Sequence, residues 1–464
     1  MIDLKTKPAN LNDLKVAVLG AKRSGIAAAI LAARRGAEVL LSDTANPEIA
    51  PEQHSALKQH NVQLEIGGHT SKIFDSDLVV LSPGIPNDAP IVIEVTKHSI
   101  PIVAEVEMAY WFCPTDNIIA VTGSNGKTTT TTLLSEIFKG TQYEPYCGGN
   151  IGTAFSHLII EAERSAHPQK IFILELSSFQ LERIVHFRPK VSLILNITPD
   201  HLDRYEHRME LYLAAKLRIT MNQTEDDYYI FNDDDELLKT NLPPRCHLIP
   251  AGLHSTSQKL ITSDAEKIYF SGEDQFIERA RVALLGEHNL YNLTAALTAG
   301  RLYQLPITHL QNILYNFKSI EHRLEFVTTI DGVDYYNDSK ATNVVSVNYA
   351  LRSFNRPVIV ILGGKDKDSD FTLLIPQIRE HVKAAVLIGK AADKIRKALS
   401  GVVEMYDAGY SMPSAIEIAR NLAVPGDIVL LSPACASFDM FNDYEHRGRV
   451  FKEIVMNLPK DLKV

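Results

Sequence analysis

Gly123-Ser124-Asn125-Gly126-Lys127-Thr128-Thr129 is the stretch in which residue type and order restrict the chemistry most narrowly. It lies between an apolar run, Ile118 to Val121, and a helical segment. There, glycines let the backbone turn tightly, so that successive N–H groups and the start of the helix face an anion. The lysine adds a point charge, and a threonine hydroxyl can hold magnesium. This is the chemistry of a nucleotide phosphate loop. The pattern G-x-x-x-x-G-K-[ST] is met incompletely, because Val121 stands at its first glycine. An ordinary strand-to-helix turn with an exposed lysine is the plainer account.

Further candidates lie at the ends of apolar runs. Glu175 closes the run Ile171 to Leu174, the place where carboxylates emerge from open parallel sheets. His201, in Thr198-Pro-Asp-His-Leu-Asp-Arg-Tyr205, follows the run Val191 to Leu195 and can bind a metal or an anion. With Thr128 these side chains supply hard donors suited to magnesium; singly, each reads as a solvated loop residue. Asn289 and Asn292 share a helix side with Leu290, Leu293 and Leu297, and their amides can meet an adenine edge or a ribose, with capping and solvation as the alternative. Lys216 stands at the margin of a Leu213/Leu217 stripe, where periodicity alone makes it a solvated helix lysine.

The elements that must position these residues form three α/β blocks, each a mainly parallel sheet with flanking helices. In the first, residues 1–104, Val16 to Leu19, a helix from Ser24 to Arg35 and Val39 to Leu41 make a strand-helix-strand unit. Leu78 to Leu81 is the next strand, with Ser82-Pro-Gly-Ile-Pro86 as its exit loop. This Rossmann-like block fails the dinucleotide fingerprint. Gly20 and Gly25 fit, but Lys22 occupies the middle glycine position, leaving Asp43 and Thr44 to bind a ribose or a base, or the block to serve as scaffold. The second block, 105–319, carries the phosphate loop and, between Tyr228 and Phe270, a small antiparallel annex. In the Rossmann-like third, 320–464, Val358 to Leu362, Ala384 to Ile388 and Ile428 to Leu431 are strands. Asn337 to Asn343, Gly363 to Lys367 and Ser432 to Asp439 are polar clusters at one expected edge, suggesting a second ligand surface.

Composition narrows the classes further. In 464 residues, 47 Lys+Arg against 56 Asp+Glu give a net charge of -9, which disfavours nucleic acid or anionic lipid as partner. Cys113, Cys147, Cys246 and Cys435 form no C-x-x-C pair, so neither a disulfide framework nor a zinc site is expected, and a reducing cytoplasm fits. The first residues lack the order of a signal peptide, and Ile26 to Ala33 is short of the ~20 residues that span a bilayer.

Taken in order, these motifs resemble the Mur ligases of bacterial cell-wall synthesis over essentially the whole chain. The phosphate loop and the Asn289/Asn292 pair are shared across that superfamily. Glu175 to Glu182, Asp200-His-Leu-Asp-Arg-Tyr205, Asn337 to Asn343 and Ser432 to Asp439 are more selective. The resemblance implies an ATP- and Mg2+-dependent ligase that joins D-glutamate to UDP-N-acetylmuramoyl-L-alanine through an acyl phosphate, as a cytoplasmic monomer without nucleic-acid or membrane partners. It implies that Gly123, Ser124, Asn125, Gly126, Lys127, Thr128 and Thr129, with Asn289, Asn292, Arg323, Asp338 and Lys340, contact ATP, so that one nucleotide touches both the second and third blocks. Asp43, Thr44 and Ser82 fall to the UDP moiety, with Asn150 and His201 nearer the muramoyl end. Thr342, Lys367, Ser437, Phe438 and Tyr444 fall to D-glutamate. Lys127, Glu175, His201 and Lys216 are the implied catalytic set, and Thr128, Glu175, His201 and a carbamate on Lys216 the implied magnesium donors. The family's Gly-Gly-Asp-Gly-Lys turn is here Gly363-Gly-Lys365-Asp366-Lys367, and the following Asp370-Phe371 favours Lys367 over Lys365. Another superfamily member and a non-catalytic nucleotide switch are the alternatives, although a folate ligase would not need the first block.

Overall fold

Short apolar runs rich in Val, Ile and Leu become strands buried on both faces, and the helical segments between them return the chain for parallel pairing. In the computed structural model, which describes residues 2–284, 286–317 and 320–459, β1 (Lys15–Leu19), β2 (Glu38–Asp43), β3 (Gln63–Ile66), β4 (Leu78–Leu81) and β5 (Ile102–Ala104) pair in the order β3-β2-β1-β4-β5. All these pairings are parallel. A second parallel sheet has the order β11-β10-β9-β6-β8-β7. Its strands are β6 (Ile118–Thr122), β7 (Glu144–Gly149), β8 (Lys170–Glu175), β9 (Val191–Ile194), β10 (Tyr228–Phe231) and β11 (His247–Pro250).

The expected annex needs correction here. Tyr228–Phe231 and His247–Pro250 extend the parallel sheet, and only β12 (Ile261–Ser263), β13 (Lys267–Phe270) and β14 (Phe276–Glu278) form an antiparallel sheet. Tyr229, Ile230 and Phe231 are buried like the other sheet interiors, which is why this segment joins the core.

The third sheet contains β15 (Glu325–Ile330), β16 (Val333–Asn337), β17 (Val358–Gly363), β18 (Val382–Ile388), β19 (Glu404–Asp407) and β20 (Ile428–Leu431), in the order β15-β16-β20-β17-β18-β19. Only the β15/β16 hairpin is antiparallel in it.

Contacts divide the chain into two compact units, Met1–Arg279 with Tyr291–Ile313, and Ala280–Leu290 with Leu314–Val464. The expected boundary at 104/105 therefore falls inside the first unit, and Ser319 of the expected 319/320 boundary lies outside the described residues. The helix Glu105–Trp111, which follows β5 without a loop, accounts for the merger. The Glu105 carboxylate accepts from Ser156 N–H at 2.6 Å, and burial pushes its pKa up. Glu107, fully buried, accepts from Trp111 Nε1 at 2.7 Å and from the backbone N–H groups of Val185, His186 and Phe187 at 2.8–2.9 Å. One apolar cluster runs from Val18 and Leu31 through Val106 to Phe155 and Leu174, so the first two sheets share a core.

Candidate functional site

The phosphate loop leaves β6 at the carboxyl edge of its sheet and enters the helix Lys127–Phe138. Gly126 has φ +84°, and a Cβ there would lie 2.2 Å from Asn292 Oδ1, so glycine alone fits and the Asn292 amide is seated against the loop. Asn196 buttresses the turn, its carbonyl accepting from Ser124 N–H at 2.9 Å and its Oδ1 from Asn125 N–H at 2.8 Å. Lys127 curls over the loop, its Nζ donating to the carbonyls of Gly123 at 2.8 Å and Ser124 at 2.9 Å.

Glu175, buried at the end of β8, joins this loop to the first block. Its Oε2 accepts from Thr128 Oγ1 at 2.8 Å and its Oε1 from Asn150 Nδ2 at 2.9 Å. The Asn150 carbonyl in turn accepts from Arg23 Nη2 at 3.4 Å. At the carboxyl edge of the first sheet, Asp43 Oδ2 accepts from Ala21 N–H at 2.7 Å and Ser82 Oγ donates to the Gly20 carbonyl at 3.2 Å. Two residues distant in sequence thus converge on the turn after β1, and Thr44 is exposed beside it. A Cβ on Gly25 would lie 1.7 Å from the Gly20 carbonyl, so the helix after β1 packs as closely as the glycine spacing indicated.

Lys216 is not the solvated lysine that periodicity predicts. It is 1% exposed, and its Nζ donates to the Gly123 carbonyl at 2.9 Å, the same oxygen that Lys127 contacts. Burial, and then the Lys127 charge, hold its pKa well below the ordinary lysine value. The residue that covers it, Tyr212, places its ring 4.5 Å from the amine and its hydroxyl 3.2 Å from Ser124 Oγ. Sequence reasoning missed Tyr212, although its i, i+4 spacing to Lys216 was a usable signal. His201 has a left-handed backbone and is half exposed, with its Nε2 3.7 Å from Asp200 Oδ2 and its ring 5.3 Å from that of Phe179.

In the second unit the three polar clusters lie at the carboxyl ends of the adjacent parallel strands β16, β20 and β17. Asp338 is buried, accepting from Ser432 Oγ at 2.8 Å and Leu324 N–H at 3.2 Å, and burial pushes its pKa up to about 7. Arg447, absent from the sequence reading, holds two of the clusters together: it donates to Ser339 Oγ and carbonyl at 2.9 and 2.7 Å and to the Cys435 carbonyl at 3.1 Å. Lys340 Nζ lies 5.0 Å from the Tyr444 ring centroid, and Thr342 N–H donates to the Lys340 carbonyl. Ser437 is buried, whereas Lys367 and Phe438 are exposed. Arg323 follows His322, whose carbonyl accepts from Lys340 N–H. Asn289 precedes Asn292 on the helix Glu287–Leu302 and is buried.

Three parallel-sheet blocks, one with a phosphate loop backed by a buried carboxylate and a buried lysine, define a class. Family models for the Mur ligase middle domain and the Mur ligase glutamate ligase domain match residues 121–300 and 322–435, and the chain belongs to the Mur ligase family of ATP-dependent amide-forming ligases. A model described as the MurD N-terminal domain matches residues 16–91. Among similar proteins, the enzyme named UDP-N-acetylmuramoylalanine--D-glutamate ligase is 40% identical in Chloroherpeton thalassium, over 96% of this chain and 98% of that protein, and 41% identical in Koribacter versatilis, over 97% and 98%. Solved structures share the fold at low identity. The UDP-N-acetylmuramate-alanine ligase MurC of Thermotoga maritima has a TM-score of 0.60 at 17% identity, covering 96% of this chain and 99% of that one. The MurF ligase of Thermotoga maritima in complex with ADP has a TM-score of 0.59 at 16% identity, covering 98% and 99%.

Proposed function

We propose that this chain joins D-glutamate to UDP-N-acetylmuramoyl-L-alanine, with cleavage of ATP to ADP and phosphate. The observation that supports the reading is the contact chain from Arg23, at the start of the helix after β1, through Asn150 and Glu175 to Thr128, which brings the carboxyl edge of the first sheet beside the phosphate loop. The names of the relatives select the substrates.

A carboxylate is a poor electrophile, so one of its oxygens first attacks the γ-phosphorus of ATP, and the bond to ADP breaks. The D-glutamate amine then attacks the acyl carbon, phosphate leaves, and the amine proton passes to solvent. Lys127 and the loop N–H groups offset the charge of two approaching anions. Magnesium, when bound, screens the same phosphates as a Lewis acid. Of the donors assigned to it, Thr128, Glu175 and His201 would suit the cation as they stand, and Lys216 would join them only if it carried an oxygen anion. A buried neutral amine allows this: its nitrogen adds to the carbon of CO2 and gives up a proton, leaving an N-carboxylate. Gly123 to Thr129, Asn289, Asn292, Arg323, Asp338 and Lys340 are the nucleotide contacts in this reading. Asp43, Thr44, Ser82, Asn150 and His201 take the UDP substrate, and Thr342, Lys367, Ser437, Phe438 and Tyr444 the D-glutamate. In this reading the enzyme works as a cytoplasmic monomer. No helix among the described residues is long and apolar enough to cross a membrane.

Phosphate release with ATP, magnesium, UDP-N-acetylmuramoyl-L-alanine and a panel of D- and L-amino acids tests the reading. D-Glutamate is expected to be the preferred acceptor, and a preference for another amino acid would replace this assignment.

A further inference from the structure

Glu182 closes the selective segment that begins at Glu175, yet no role above uses it. Its carboxylate, largely buried, lies where three segments meet. Oε1 accepts from the Tyr205 hydroxyl at 2.6 Å; Oε2 accepts from Arg204 Nη2 at 3.3 Å and from Asn87 Nδ2. Asn87 Oδ1 accepts from Arg183 Nε at 3.0 Å, and Arg204 lies over the Phe179 ring, 3.8 Å from its centroid. Burial and the Glu182 carboxylate push the Tyr205 pKa up, so the phenol remains a donor. Asn87 belongs to the exit loop of β4 that also carries Ser82, and Arg204 and Tyr205 belong to the turn Leu202–Tyr205 that directly follows His201. One carboxylate therefore fastens the two segments to which the proposed function assigns the two ends of the nucleotide-sugar substrate. An exposed ion pair would contribute little, but Tyr205 is buried and the Arg204 and Glu182 side chains are largely so, with Asn87 at the exposed rim, so removing the shared acceptor takes a partner from two sheltered donors at once.

We infer that Glu182 is a positioning residue, holding the Ser82 loop and the His201 turn in one arrangement so that the UDP-linked substrate meets a preformed site. The inference rests on the proposed function for its substrate and on the geometry for its coupling, and the test separates the two. Glu182→Ala is expected to raise KM for UDP-N-acetylmuramoyl-L-alanine about tenfold while KM for ATP and D-glutamate stays within about twofold; Glu182→Gln, which keeps the shape and one acceptor, should rise only about threefold. Hydrogen exchange on the substrate-free protein should quicken at residues 82–89 and 201–207 in Glu182→Ala and stay unchanged at 123–130. Equal rises in all three KM values, unchanged KM values, or exchange that quickens everywhere or nowhere would each overturn the inference. If the wild-type chain released no phosphate with these substrates, the functional reading would fail, and exchange alone would decide the coupling.

Discussion

Two lysines donate to the Gly123 carbonyl, and their different environments predict different outcomes of removal. Lys127 opens the helix Lys127–Phe138, half-buried against loop carbonyls and outside the apolar core, so Lys127→Ala should leave the melting temperature nearly unchanged while turnover falls by about two to four orders of magnitude in a phosphate-release assay. Lys216 is buried with a depressed pKa. Between that value and the ordinary lysine range, the unfolded chain binds a proton that the folded chain does not, so stability rises with pH across this window. Lys216→Met should therefore melt about 2–4 °C higher than the metal-free wild type at pH 7. That advantage should shrink by pH 9.5, and turnover should be lost at both. Small carboxylic acids should partly restore the activity of Lys216→Ala, and calorimetry showing Lys216→Met less stable at both pH values would contradict a buried neutral amine. Asp338 behaves oppositely in sign. Its folded pKa is raised to about 7, so its contribution is fully present below the ordinary carboxylate value and is lost as pH rises through about 7. Asp338→Asn should remove that slope, with the variant gaining about 2–4 kcal/mol on the wild type between pH 4 and 8 in denaturant titrations. Parallel titrations would mean that the carboxyl is ionised throughout.

The strand-loop-helix element around Gly126 gives a sharper case, since both φ and space exclude a side chain. Gly126→Ala should cost about 1–3 kcal/mol and abolish ADP binding measured by calorimetry, because Asn292 must leave its seat against the loop. Elements of this kind were legible in the sequence: uniform apolar runs bounded by Gly or Ser-Pro gave β1, β4, β6, β17 and β20 to within a residue at either end. The strands that escaped reading are mostly edge strands, such as β3, β7 and β19, with sequences Gln-Leu-Glu-Ile, Glu-Pro-Tyr-Cys-Gly-Gly and Glu-Met-Tyr-Asp. An edge strand buries less, so its sequence carries no sustained apolar signal. The β15/β16 hairpin was readable from its Asp331-Gly332 turn and was overlooked.

Across the whole molecule, the place of the polar clusters at the carboxyl ends of strands was legible, because an apolar run that stops at a polar turn marks that edge. What stayed hidden depended on contacts between distant segments. The cover over Lys216 comes from Tyr212 and Gly123, the meeting of three segments at Glu182 from three separate elements, and the merging of the first two blocks from one apolar cluster that runs through both. Glu107 anchors the helix Glu105–Trp111, whose Val106 and Met108 belong to that cluster. Glu107→Ala leaves an indole and three backbone donors unpaired, and should destabilise the first unit by about 3–5 kcal/mol, seen as one lowered thermal transition beside an unchanged one. The shared apolar cluster limits how such ligases can be recombined. A chimera that grafts the first block of a relative onto this chain at the 104/105 junction would inherit Glu107 from the host and keep its Val185–Phe187 donors, but would pair a foreign Arg23–Arg34 helix with the host's Phe155–Ala162. Grafts should therefore succeed only when the two apolar faces are exchanged together, so that the transplantable piece is larger than the first block.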